Sequence, residues 1–215
     1  MTSNRKVGNP LALAVLACLS EKPMHPYEMA STMRERHKDE SIKLNYGSLY
    51  TVMGALQRHR LIEPQETARE GNRPERTVYR ITGAGRLELI AWLSELIAEP
   101  VQEFPQFGAG LSLLPTLPPK EALSLLAQRA DRLQAQLESA KGIRKIIVDR
   151  KIPRLFWIEV EYRRRLLEAE LAWVRELISE IDSGALEGVR MWRNWHEPGS
   201  EPATVIPFGV KLGEQ

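Results

Sequence analysis

The strongest constraint in this sequence is a change of hydrophobic period inside its first hundred residues. Residues 9–20 read as a buried helix, with Leu11, Val15, Leu16 and Leu19 inward, Asn9 as cap and Pro10 at the first helical position. "EKPMHPYEM" breaks that helix, and Pro26 opens a second one reaching Arg36, with Tyr27, Ala30 and Met33 or Arg34 along its inner edge. After the polar link "HKDESIK", Asn45 caps a third helix. Beyond Leu61 the period switches to two: "LIEPQET" and "RTVYRIT" flank "AREGNRPE", which reads as a hairpin with an extended tip. Thr82 then caps a fourth helix, with Leu87, Ile90, Leu93 and Leu96 or Ile97 on its apolar edge. Helix, helix, helix, hairpin, helix is the order of a winged helix-turn-helix, which we assign to residues 1–98.

The remainder is helical too, so the fold class is mainly α. "EPVQEFPQFGAGLSLLPTLPP" marks a domain boundary that is too apolar for a free linker, with a short helix near Ala109 to Leu114. Residues 99–184 then hold two long helices. The first carries Leu123, Leu126, Ala130, Leu133, Leu137 and Ala140 at three–four spacing. The second places Leu155, Ile158, Tyr162, Leu166, Ala169, Trp173, Leu177 and Ile181 inward and stops at Gly184. The break at "RKIPR" folds the pair into a hairpin. Two helices alone cannot bury all of these side chains, so a second copy or the first domain must cover them; a dimer is the natural supplier, and an α-helical dimerisation domain is expected here. The tail, residues 185–215, includes Trp192 and Trp195 and receives no structure from its pattern.

Composition excludes several classes. Of 215 residues, 43% are hydrophobic and 27% charged, an ordinary globular balance, and the net charge of +2 leaves only its distribution to argue from. One cysteine, Cys18, and four scattered histidines rule out a disulfide framework and supply no metal-ligand spacing, so no cofactor and no metal are expected. A reducing cytoplasm fits. "RKVGNPLALAVLACLS" imitates a signal peptide, but Pro10 interrupts it and its spacing suits a capped helix better. No run approaches the roughly 18 apolar residues that span a bilayer, so no membrane partner is expected. Nor is there a nucleophile–His–acid set or phosphate loop, and the chain does not read as an enzyme.

The third helix, within "LNYGSLYTVMGALQRHRLI", has an unusual outer side. Leu49, Val52, Met53 and Leu56 fall in one narrow sector; opposite them stand Gly47, Thr51, Gly54, Ala55 and Arg58. Small side chains at successive turns let a helix approach another surface, although Gly54 costs about 1 kcal/mol relative to Ala. A DNA major groove is such a surface. Thr51 can bond a base or touch a thymine methyl, Arg58 can reach guanine or phosphate, and Asn45, Ser48 and Tyr50 at the helix start can hold a phosphate. From Arg34 to Arg86 there are eleven Lys or Arg against seven Asp or Glu, with Arg69, Arg73 and Arg76 in the hairpin tip. Double-stranded DNA is the expected partner; the alternative is a helical module whose bare face docks another protein.

"HPYEM", "NYGSLYTVMGALQRHRLI" and "GNRPERTVYRITGAG" in this order resemble the PadR family of bacterial transcription regulators. Gly47-Ser48-Leu49-Tyr50 is similar to its recognition-helix signature, and Tyr79 to Gly85 to the pattern that closes its wing. The resemblance runs from residue 9 to about Gly184. It implies a homodimer joined by C-terminal helices on a roughly palindromic operator, most often a repressor. By position in these motifs it carries DNA contacts to Ser48, Tyr50, Thr51, Arg58, Arg73 and Arg76. One departure is Pro26, where the family usually has Gly before the tyrosine of its second helix.

Two features suit an effector. Trp92 and Trp157 can line a flat hydrophobic pocket, or else serve simply as core and interface residues. Between Lys141 and Arg165 there are nine basic and three acidic residues. Arg150, Lys151, Arg154, Arg163, Arg164 and Arg165 are candidates for holding an anionic small molecule such as a nucleotide; solvated helix surface is the plainer reading.

Overall fold

Leu11, Ala12, Val15 and Leu16 of helix α1 (Pro10–Glu21) are completely buried, so the run that imitates a signal peptide is the centre of a core. The computed structural model describes residues 8–65 and 77–197. The chain divides into two compact units, Met1–Gln102 and Glu103–Gln215. In the first, Asn9 caps α1 by accepting the Leu11 N–H at 2.9 Å, with Pro10 at the first helical position. Helix α2 (Pro26–Glu35) is capped by His25, whose Nδ1 accepts the Tyr27 N–H at 3.1 Å. Its buried residues are Pro26, Met29, Ala30 and Met33, whereas Tyr27, expected inward, is 62% exposed. Tyr27 lies about 160° round the helix from Met29, so both cannot face one core.

Helix α3 (Tyr46–Arg58) ends in a Schellman turn, with Arg60 left-handed at φ 58° and the Leu61 N–H on the Leu56 carbonyl at 2.9 Å. Strand β1 (Ile62–Gln65) follows and pairs antiparallel with β2 (Val78–Ile81), Ile62 opposite Ile81. Pro64 sits opposite Tyr79, whose N–H and C=O instead bond Met24 at 3.0 Å each. The proline's missing N–H is therefore not needed by the ladder. The hairpin tip with Arg69, Arg73 and Arg76 lies outside the described residues.

Helix α4 (Gly83–Ala98) starts where Thr82 accepts the Gly85 N–H at 3.0 Å and donates its hydroxyl to the Arg60 carbonyl at 2.8 Å. Gly85 has no alternative. An added Cβ would stand 2.1 Å from the Leu61 carbonyl oxygen. The buried residues of α4 are Gly85, Leu89 and Trp92; the row expected inward is outward, with Leu87 at 72% and Ile90 at 63% exposure. The close approach at Gly85 sets the rotation of the helix and so selects the other row.

The second unit begins with α5 (Gln106–Ser112) and continues as α6 (Pro119–Asp149) and α7 (Ile158–Ser183). Ala122, Leu126, Ala130, Leu133 and Leu137 of α6 are buried. On α7 the buried or partly buried seam is Leu167, Leu171, Val174, Leu177, Ile178 and Ile181, so the expected row holds at Leu177 and Ile181 and is displaced to its neighbour nearer the start of the helix. Of that expected row, Ile158, Tyr162, Leu166 and Trp173 are 51, 65, 52 and 45% exposed, because α7 carries apolar residues on two faces and α6 covers one. Residues 185–197, which had no sequence assignment, supply α8 (Val189–Trp195), which buries Val189 and Trp192. The Trp192 Nε1 donates to the Leu117 carbonyl at 2.9 Å.

Two expectations follow. Gly85→Ala should destabilise the chain by about 2–3 kcal/mol and Thr82→Ala by about 1 kcal/mol, read as shifts in the urea midpoint. Burial raises the Cys18 thiol above its ordinary pKa, with Glu21 adding to the effect. A disulfide reagent at neutral pH should therefore label Cys18 only once denaturant opens the core.

Candidate nucleic-acid interface

Helix α3 owes its exposure to the apolar arc behind it. Leu49 and Leu56 are 0% exposed, Val52 5% and Met53 3%, which fixes the rotation of the helix and turns Gly47, Tyr50, Thr51, Gly54 and Arg58 outward. Most of the sequence-derived candidates therefore share one free surface. Asn45 is committed to capping, its Oδ1 accepting the Ser48 N–H at 2.7 Å, so its free amide nitrogen and the half-buried Ser48 face the helix start. Thr51 donates its hydroxyl back to the Gly47 carbonyl at 2.9 Å. That leaves its oxygen as an acceptor and its methyl as an apolar contact. Arg58 reaches back toward the Gly54 carbonyl, with Nε at 3.4 Å, and a Cβ at position 54 would meet nothing within 4 Å. Its other guanidinium nitrogens remain available as donors to a base edge or phosphate.

Three side chains beside this surface were missed as candidates. Tyr46, at the first turn of α3, stacks on Tyr27 of α2 with ring centroids 6.3 Å apart and planes 12° from parallel. Arg34 donates to the Tyr46 hydroxyl at 2.9 Å, a bond that raises its guanidinium pKa, and lies 4.9 Å from the centre of that ring. This cluster joins α2 to the exposed start of α3 and presents hydroxyls and a cation together. Periodicity pointed the other way for Tyr27, since an aromatic at a helix start is usually a core residue; the "HPYEM" motif was the available signal.

Ion pairing trims the positive surplus. Arg36 makes a bidentate bridge to Glu21 at 2.5 and 2.8 Å, and Arg80 pairs across the strands with Glu63 at 2.8 Å. The candidates for anion binding in the second unit are similarly engaged. Arg154 donates to Glu161 at 2.8 and 3.1 Å, and Arg165 joins it at 3.3 Å. These two arginines, Arg154 foremost, hold the Glu161 carboxyl below its usual pKa. Arg164 bridges Glu168. Arg150, Lys151 and Arg163 are exposed near the α6–α7 turn. Trp92 is packed in the first core, and Trp157 donates Nε1 to the Ile152 carbonyl at 3.1 Å. Among the described residues no group of His, Cys, Asp or Glu could hold a metal, and no helix is long and apolar enough to cross a membrane.

The expected outcome of Tyr46→Phe is a measurable loss of nucleic-acid affinity with the fold intact, because it removes only the hydroxyl that holds Arg34. Circular dichroism and a DNA-binding titration of the same samples check it.

Comparison with known proteins agrees with this geometry. Residues 15–91 match the model of the "Transcriptional regulator PadR-like family", which bears out the resemblance read from the motifs. Bacillus subtilis PadR in complex with operator DNA is 18% identical, with a TM-score of 0.64, over 79% of this chain and 96% of that one. The same protein in complex with p-coumaric acid gives 17% and 0.65, over 80% and 98%. The Vibrio cholerae virulence activator AphA gives 16% and 0.62, over 81% and 99%. At these identities the structures establish the fold. No curated protein matches the chain.

Proposed function

We propose that this PadR-like chain is a sequence-specific DNA-binding transcriptional regulator, not an enzyme. In this reading it acts in the cytoplasm as a homodimer on a palindromic operator and represses until an effector binds. The observation that carries the reading is the outer face of α3: Gly47, Thr51, Gly54 and Arg58 exposed opposite a fully packed inner arc. It supports α3 as the helix that enters the major groove, Thr51 and Arg58 reading base edges while Asn45, Ser48 and Tyr50 hold a phosphate. Arg69, Arg73 and Arg76, between β1 and β2, would add backbone contacts. The solved PadR–operator complex of B. subtilis has the same fold, which favours this surface over one for docking protein.

Dimerisation is supported by the far end of the α6–α7 hairpin. Between residues 140 and 166 the sole buried residue is Ile147, while Leu155, Phe156, Ile158, Tyr162 and Leu166 are all more than half exposed. So many exposed apolar side chains within twelve residues, from the turn before α7 into its first turns, mark an interface. Two reading helices held about 34 Å apart fit successive major grooves on one DNA face. An effector that altered their spacing by a small hinge movement would release the operator. The p-coumaric acid complex of B. subtilis PadR supports a small molecule in that role; Trp157 and the basic residues 150–165 stay candidates for holding one, whereas Trp92 is 4% exposed within the first core.

Fluorescence anisotropy with labelled DNA from upstream of this protein's own gene, at two salt concentrations, tests the DNA reading. Binding should weaken steeply with salt. Arg58→Ala should cost about 1–3 kcal/mol and relax base specificity, while Arg73→Ala should weaken binding to all sequences and flatten the salt slope by about one. Binding without a salt slope, or indifferent to both changes, would show that α3 faces protein instead. Ile158→Glu with Leu166→Glu should leave a folded monomer in sedimentation. Its operator affinity should fall on the order of a hundredfold, since each half-site would then bind alone.

A further inference from the structure

Helix α3 ends on a residue that its backbone does not suit. The turn leading into β1 needs a left-handed residue, and Arg60 fills that place at φ 58°. Glycine takes this conformation freely and asparagine tolerates it, whereas the Cβ of a long side chain crowds its own backbone there. Gly184 and Gly188, left-handed at φ 80° and 83°, show the ordinary solution in the second unit. An arginine kept at such a place needs a reason outside the backbone.

The turn itself supplies none. The last carbonyls of α3 are already taken by main chain: Ala55 accepts the His59 N–H at 3.1 Å, Leu56 the Leu61 N–H at 2.9 Å and Gln57 the Arg60 N–H at 2.9 Å. No side chain is needed to finish the helix. The Arg60 carbonyl accepts the Thr82 hydroxyl at 2.8 Å, a contact that any residue could make. Nor does an acid hold the guanidinium. Glu63, the nearest carboxylate in sequence, is bridged to Arg80 at 2.8 Å. Among the described residues the Arg60 side chain has no hydrogen bond and no ion pair.

Its position gives the reason. Gln57, Arg58, His59 and Arg60 are all exposed, so the free surface of α3 continues to the point where the chain enters the hairpin. Residue 60 is also fixed in place, its N–H tied to α3 and its carbonyl to Thr82 at the start of α4. A cation on a pinned backbone, between a bare helix face and a hairpin whose tip carries Arg69, Arg73 and Arg76, suits an anion that borders both. In duplex DNA that anion is the phosphate backbone beside the groove.

We propose that Arg60 binds a DNA backbone phosphate at the junction of reading helix and wing, and that the left-handed turn is retained to present it. The contact is additional to those of Arg58 and the wing, carries no base information, and rests on the DNA-binding reading of this chain. One residue thus has two effects of opposite sign: Arg60 weakens the fold and strengthens the complex.

Urea unfolding and anisotropy titrations of the full chain test this, with a labelled duplex of arbitrary sequence at low salt beside the upstream fragment. Arg60→Gly should unfold at higher urea than the wild-type chain. It should also bind both duplexes on the order of fivefold more weakly, with a salt slope flatter by about one. The preference between the two duplexes should stay unchanged, since a phosphate contact reads no sequence. Arg60→Asn, which suits the turn without the charge, should behave as Arg60→Gly does, and Arg60→Lys, which keeps the charge, should keep the slope. Arg60→Gly that binds as the wild type does or unfolds at lower urea, or a slope that flattens equally in Arg60→Lys, overturns the proposal. If the wild-type chain binds neither duplex, the DNA-binding reading falls and this contact with it. If Arg58→Ala loses affinity and Arg60→Gly does not, only this contact falls.

Discussion

The peptide unit of Leu61 is the joint on which the first unit depends. Its N–H closes the Schellman turn of α3 on Leu56, and its carbonyl accepts the Thr82 N–H at 3.0 Å and the Thr82 hydroxyl at 3.1 Å. The same carbonyl comes so close to α4 that only glycine fits at position 85. One peptide thus fixes the end of α3, the start of β1 and the angle at which α4 leaves. Rotating α4 about this point would move Leu89 and Trp92 out of the core and uncouple the hairpin from α3. The orientation of the exposed face of α3 is anchored there, at the opposite end of the helix from the cap at Asn45.

That surface is bare because its neighbours fill the core. Leu49 and Leu56 have no exposed area, so α3 cannot roll to hide Thr51 or Arg58. The glycine at 54 weakens the helix and leaves open space on its outer face, beside the carbonyl that Arg58 approaches. Helix propensity is given up on the outer face, and the packed inner arc offsets the loss. The cluster of Tyr27, Tyr46 and Arg34 extends this surface to α2 through ring stacking and one hydrogen bond rather than through the core.

In the second unit the same physics leaves the opposite result. Helix α7 carries apolar side chains on more than one face, and α6 covers only the seam from Leu167 to Ile181. What remains exposed among the described residues at the hairpin end is a run of large apolar side chains, Leu155, Phe156, Ile158, Tyr162 and Leu166. Nearer its base, α5 and α8 close over the helices, and there the Arg129–Glu170 bridge interrupts an otherwise apolar seam. A charged pair amid aromatic walls serves position more than stability, since well-packed apolar residues would hold two helices as well.

The sequence by itself determined what depends on neighbours along the chain. The caps at Asn9, Asn45 and Thr82, the stop at Gly184, the switch from period 3.6 to period 2 and the inner arc of α3 all follow from local chemistry. Which apolar row of a two-faced helix turns inward does not. Leu87 and Leu89 are equally hydrophobic, and only the contact between Gly85 and the Leu61 carbonyl decides that Leu89 is buried. The same holds for Tyr162 against Leu171, for the aromatic cluster around Arg34, and for the packing of Trp192 beneath Leu117. Tertiary structure settled these because each depends on a partner distant in sequence, and periodicity records that a face is apolar without recording what will cover it.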